Sequence, residues 1–146
     1  MSLVAPLILC LSLTAGLAQT RPDFSGKWTR IPAAAGEAVH TFTITQTRDT
    51  LTVDDAGRRW VHKLDGSESK HVTTENYPPR ESVQLSTSSW EGDTLVTVFP
   101  IGSGPQGPYL LRVALSLDGR NLVVNATSTI QTTGAVFAKE TKRYSK

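Results

Sequence analysis

The chain has 146 residues, 38% of them hydrophobic and 19% charged, and its 15 Lys and Arg against 13 Asp and Glu give a formal net charge of +2. That size suits one globular domain with a modest core and leaves no room for a second. Neither sign of charge forms a block, so the basic stripe that nucleic acid requires is missing, and beyond Leu17 no apolar run approaches the length of a membrane-spanning helix.

Residues 1–18, MSLVAPLILCLSLTAGLA, contain no charged side chain and are apolar from Leu3 to Leu17, with small residues at Gly16 and Ala18. The pattern predicts a secretory signal peptide cut after Ala18, leaving 19–146 as a single domain in the periplasm or beyond. Cleavage would remove Cys10, the sole cysteine, so no disulfide is expected. A cysteine-free exported domain suits a bacterial envelope better than the disulfide-dense secreted modules of animals.

From residue 24 onward apolar and aromatic residues alternate with Thr, Ser, Gln, Arg and Lys, and β-branched types abound. The alternation predicts strands at about 25–31, 39–47, 50–54, 58–64, 69–74, 82–90, 94–100, 109–117, 121–129 and 135–144. Turn chemistry separates them: Arg48-Asp49, Asp54-Asp55-Ala56-Gly57, Leu64-Asp65-Gly66, Glu91-Gly92-Asp93, Asp118-Gly119 and Thr133-Gly134. Two stretches read as looser. Residues 75–81, ENYPPRE, carry paired prolines, and 102–108, GSGPQGP, are too rich in Gly and Pro for regular structure.

Sequential hairpins on this scale leave unpaired backbone at both edges of an open sheet, and closure removes those edges. The expected fold is therefore all-β, an antiparallel up-and-down meander of about eight to ten strands closed into a barrel. A two-layer sandwich is the alternative, and it needs longer crossing connections than this chain shows.

Gly26-x-Trp28 at the first strand, the meander itself and Lys142-Arg143-Tyr144 near the end resemble the calycin superfamily of lipocalins and fatty-acid-binding proteins. The opening DFSGKW, the DG turns and WEGDTL are similar to segments of small bacterial exported lipocalin-like proteins. The resemblance implies structural roles for Gly26, Trp28 and Arg143, with Trp28 closing one barrel end and Arg143 stacked over it. It also implies a carboxylate-holding Arg-x-Tyr pair near the C-terminus. This chain has Lys142-x-Tyr144 there, and Lys lacks the two-pronged grip of Arg. Residues 32–38, PAAAGEA, are too few for the helical lid of fatty-acid-binding proteins.

On this reading Phe42, Trp60, Trp90, Phe99 and Tyr109 are candidate wall or rim residues of an internal site, with Lys142 and Tyr144 orienting a polar head group. Arg112 has two readings. If Leu111, Val113 and Leu115 face the core, Arg112 points outward; if the interior lies on the other face, it anchors an anion.

Catalytic signatures are weak. Ser86 to Ser89 lack the Gly-x-Ser-x-Gly elbow, and the acidic residues Asp54, Asp55, Asp65, Glu91, Asp93 and Asp118 fall in proposed turns. His40, His62 and His71 have no metal-site spacing and read as wall residues, with an axial haem role for His62 or His40 as a minor alternative. Asn125-Ala126-Thr127 matches a glycosylation triplet but suits a polar strand position. The expected function is noncovalent binding of a small, partly apolar molecule inside the barrel, with no enzymatic activity, cofactor or metal. The alternative is a filled barrel that contacts another envelope protein through its surface or loops.

Overall fold

The computed structural model describes the backbone of residues 20–76 and 79–146, and the side chains of all of these except 75, 76, 79 and 80. The proposed signal peptide and Cys10 lie outside the described residues. Among the described residues ten strands follow one another: β1 (Gly26–Ile31), β2 (Thr41–Gln46), β3 (Thr50–Asp55), β4 (Arg58–Lys63), β5 (Glu68–Asn76), β6 (Pro79–Glu91), β7 (Thr94–Ile101), β8 (Tyr109–Asp118), β9 (Asn121–Ile130) and β10 (Val136–Ser145). Each falls on a segment of alternating polarity, because side chains that point alternately to two faces suit a sheet buried on one of them.

The strands form one antiparallel sheet in the order β4-β3-β2-β1-β10-β9-β8-β7-β6-β5. The first strand pairs with the last, Arg30 opposite Tyr144, and every other ladder joins strands consecutive in sequence. Two-residue turns make several of the connections. Between β3 and β4 both central residues have positive φ, Ala56 at 47° and Gly57 at 81°, a backbone whose twist matches that of the flanking strands.

Two expectations change. Asp54 and Asp55 belong to β3 rather than to its turn, opposite Arg59 and Arg58, and Asp54 accepts a hydrogen bond from Arg59 Nε at 2.7 Å. The turn needs only Ala56 and Gly57, so the two aspartates remain in the ladder. The stretch 75–81 is likewise part of a hairpin, with Asn76 opposite Pro79 around residues 77 and 78, which lie outside the described residues. Pro79 is tolerated because it is the first residue of its strand. Residues 102–108 are irregular, as their composition predicts.

β4 and β5 are neighbours in sequence and stand at opposite edges of the sheet, with no ladder between them among the described residues. Side chains and turn backbone join them instead. Lys63 N–H donates to Ser69 Oγ at 2.9 Å, Gly66 N–H donates to the Ser88 carbonyl at 3.0 Å, and the His62 and His71 rings lie 4.7 Å apart. The core gathers Phe24, Trp28, Phe42, Ile44, Leu51, Leu64, Leu95, Leu122 and Tyr144, with Val53, Trp90, Leu115 and Val124 against it.

Candidate functional site

Register decides which residues share the inner face. Trp28 stands opposite Phe42 and Leu51 opposite His62, so one row runs across β1 to β4 from Trp28 through Phe42 and Ile44 to Trp60 and His62. On β8 the alternation sends Leu111, Val113 and Leu115 inward. Apart from Trp28, these side chains line a cavity of ≈ 370 Å³, to which every strand except β1 and β5 contributes.

Most of its wall is hydrocarbon and aromatic ring. Its polar members are His40, Asp55, His62, Gln84, Thr97 and Tyr144. His40 Nε2 and Asp55 Oδ1 are 2.8 Å apart, and the Phe42 and Tyr144 rings meet edge to face at 4.9 Å. Phe99 stands edge-on to both Trp60, at 6.3 Å, and His62, at 5.9 Å. Burial raises the Tyr144 phenol above its usual range.

Behind His62 lies a buried polar cluster. Ser86 is fully buried; its Oγ is 3.2 Å from His62 Nδ1 and 2.9 Å from His71 Nε2. A hydroxyl has one proton to give and can accept as well, so Ser86 can donate to one imidazole and accept from the other. Burial lowers the His62 pKa to about 4, with a further push from His71, and burial also lowers that of His71. Both rings are therefore uncharged near neutrality. Next to them Ser88 Oγ and Thr97 Oγ1 share a hydrogen bond at 2.8 Å.

Between β4, β5 and β6 a second, more polar cleft of ≈ 810 Å³ is lined by residues that include Arg58, Arg59, His71, Thr73 and Ser82. Trp60 and Gln84 line both this cleft and the apolar cavity.

Of the residues singled out from sequence, Phe42, Trp60, Phe99 and Tyr144 meet at the cavity. Trp90 lies elsewhere, stacked on Phe24 at 5.8 Å with the Arg21 guanidinium 5.2 Å over its ring. Its indole Nε1 is, among the described residues, the one sealed side-chain polar atom without a partner. Arg112 takes the outward alternative and pairs with Glu91, because its neighbours Leu111 and Val113 face the cavity. Lys142 pairs with Glu140 at 2.9 Å and stays out of the wall. Tyr109 packs edge to face on Phe137 at 5.3 Å. Asn125 accepts a hydrogen bond from Thr141 at 2.7 Å across the strands.

Arg143 does not cover Trp28. It is exposed and donates to Asp118 at 2.6 Å, while Lys146 Nζ sits 5.0 Å from the Trp28 ring centroid. Parity explains the exchange: Tyr144 points inward, so its neighbour Arg143 points out, and Lys146, two residues on, points in again. The same side chain explains Gly26. A Cβ there would come 2.8 Å from Lys146 Cε, and Gly26 has φ of 143°, which side chains rarely adopt. Gly26 thus leaves a path for the lysine stem to reach the indole two residues along. Trp28 itself is 1% exposed and donates its Nε1–H to the Phe24 carbonyl at 2.8 Å.

Ser86 and its link to His71 were not legible as a site. The signal was a run of polar residues, Ser69 and His71 on one strand and Ser86 and Ser88 on the next, each at the spacing of a single face. No group of three His, Cys, Asp or Glu able to hold a metal ion occurs among the described residues. No protein-family model matches the chain, and no curated protein is significantly similar to it.

Proposed function

We propose that the protein is an exported, lipocalin-like β-barrel that binds one small, largely apolar molecule in its interior without transforming it. The observation that carries this reading is the cavity of ≈ 370 Å³, whose wall is drawn from strands on both sides of the sheet and is almost wholly apolar. Small-molecule sites combine such walls with a few polar groups, and this volume is at the lower end of their range, about 300 to 1,000 Å³. Barrel closure is supported by the pairing of β1 with β10 and by the side-chain bridges between β4 and β5. The cleft beside Trp60 and Gln84 supplies a lateral route to the interior, at the place where ladder bonds need not break. Export follows from the composition of residues 1–18.

A solvatochromic apolar dye tests the reading. It should bind saturably at about one per molecule, since one cavity admits one guest. Val113→Phe, which adds bulk to the wall, should weaken that binding while the urea midpoint holds. A second reading, contact with another envelope protein, is favoured by the cross-strand pair Val72 and Val83 on the outer face, 53% and 50% exposed. Dye that never saturates on folded protein would move the function to that surface.

A further inference from the structure

We propose that the ligand is an uncharged molecule, apolar over most of its surface, whose one hydrogen-bonding group is held by Nε2 of His62, and that the site rejects carboxylates. The proposal rests on the cavity being the binding site and names the class of molecule that fits it.

Charge comes first. No Lys or Arg lines the cavity among the described residues; Asp55 carries a formal negative charge there and is engaged by His40. The cations that border it lie outside the wall: Arg30 sits 5.8 Å over the Tyr144 ring and pairs with Glu37, Lys142 pairs with Glu140 and Arg112 with Glu91, while Arg58 and Arg59 line the neighbouring cleft. A carboxylate that entered would lose its hydration, find no cation in the wall itself and share the space with Asp55.

Hydrogen-bonding capacity comes second. Thr97 shares a hydrogen bond with Ser88, and Gln84 Nε2 donates to the carbonyls of Leu85 and Pro100, which leaves its Oε1 able to accept from an alcohol but not to donate to a ketone. His62 commits Nδ1 to Ser86, and its Nε2 has no partner among the described residues. Trp90 Nε1 is the one sealed orphan atom, so Nε2 of the buried His62 is not sealed; it opens into the cavity that the ring lines. The Tyr144 hydroxyl and the Trp60 indole N–H also lack a hydrogen-bond partner among the described residues; Tyr144 belongs with His40, whose ring is half exposed, and Trp60 borders the outer cleft, whereas His62 lies beneath Phe99 and is 6% exposed.

The Ser86 bridge lets the anchor work in either sense. When Ser86 donates to His71 and accepts from His62 Nδ1–H, Nε2 of His62 accepts from a ligand hydroxyl. When His71 Nε2–H donates to Ser86 and Ser86 donates to His62 Nδ1, the His62 proton resides on Nε2 and is given to a ligand carbonyl. Both arrangements hold the same number of protons, and both rings stay neutral.

A displacement series on one skeleton tests this, using naphthalene, 2-naphthol, 2-acetylnaphthalene and 2-naphthoate against the bound dye at pH 7. The alcohol and the ketone should each bind roughly threefold to tenfold tighter than the hydrocarbon, the worth of one hydrogen bond, and the carboxylate should be weakest. His62→Phe should abolish the preference for alcohol and ketone while hydrocarbon and dye still bind. If that variant does not fold, the ¹⁵N shift of His62 Nε2 in the unaltered protein should respond to 2-naphthol and not to naphthalene. Carboxylate binding as tight as alcohol, or an unmoved Nε2 resonance, overturns the proposal and leaves the cavity reading standing. A dye that never saturates overturns both.

Discussion

Around Trp28 the interior is closed by apolar side chains with the Lys146 stem laid over the indole, whereas β5 and β6 bury Ser69, His71, Ser86 and Ser88, all polar. The first region joins strands that already share ladders, so dispersion and dehydration suffice to hold it. The second lies where β4 and β5 have no ladder, and hydroxyl and imidazole bonds take the place of backbone ones. An apolar contact can be lost in part. A buried polar network with one member removed leaves the others unpaired, which costs more than the bond was worth.

The sharpest break of the apolar region is Trp28→Ala, expected to destabilise the fold by about 3 to 5 kcal/mol because the cavity it leaves cannot collapse fully. An unchanged urea midpoint would show that this end of the fold does not depend on its indole. The polar region should respond to acid. The folded-state pKa of His62 is about 4, against 6.5 for an imidazole free in water, so between those values the unfolded chain holds more protons and stability falls as the pH is lowered. His62's contribution is complete above about pH 6.5 and is lost on the way down to about pH 4, a total of about 2 to 3 kcal/mol. Urea midpoints between pH 7 and pH 4 would reveal it, and His62→Phe should flatten the slope.

Ser86→Ala removes one hydroxyl and strands two imidazole nitrogens, for an expected loss of about 1 to 3 kcal/mol. Chemical unfolding at pH 7 measures it, and a loss below a few tenths would mean that the β4–β5 seam is held by something other than these bonds. The smallest effect belongs to Lys146→Met, which keeps an apolar stem over Gly26 and removes the charge above Trp28. About 0.5 to 1 kcal/mol should go, and the indole emission of Trp28 should change with it.

Strand positions were legible because alternation and turn residues act within a few neighbours, and for the same reason the ladder Asp54 to Arg59 was misplaced by the run of turn-forming residues at 54–57. Part of the cavity wall, Phe42, Trp60 and Phe99, was legible as large aromatics on strands. Trp90 carries the same signal and packs against Phe24 instead, since local sequence does not say at which depth of the fold an aromatic ring will lie.

By itself the sequence determined an all-β chain of sequential antiparallel hairpins, with a Gly-x-Trp start and an irregular stretch at 102–108. Those properties depend on local backbone preferences and period-two patterning. The tertiary structure alone decided which face of each strand is inside. On β5 and β6 it turned the valines Val72 and Val83 outward and the serines Ser86 and Ser88 inward, against simple hydrophobicity. It also set Lys146 rather than Arg143 over Trp28 and brought Ser86 between two histidines from different strands. The reason is register: one-residue parity is settled by the partner strand and fixes every side chain along the strand at once.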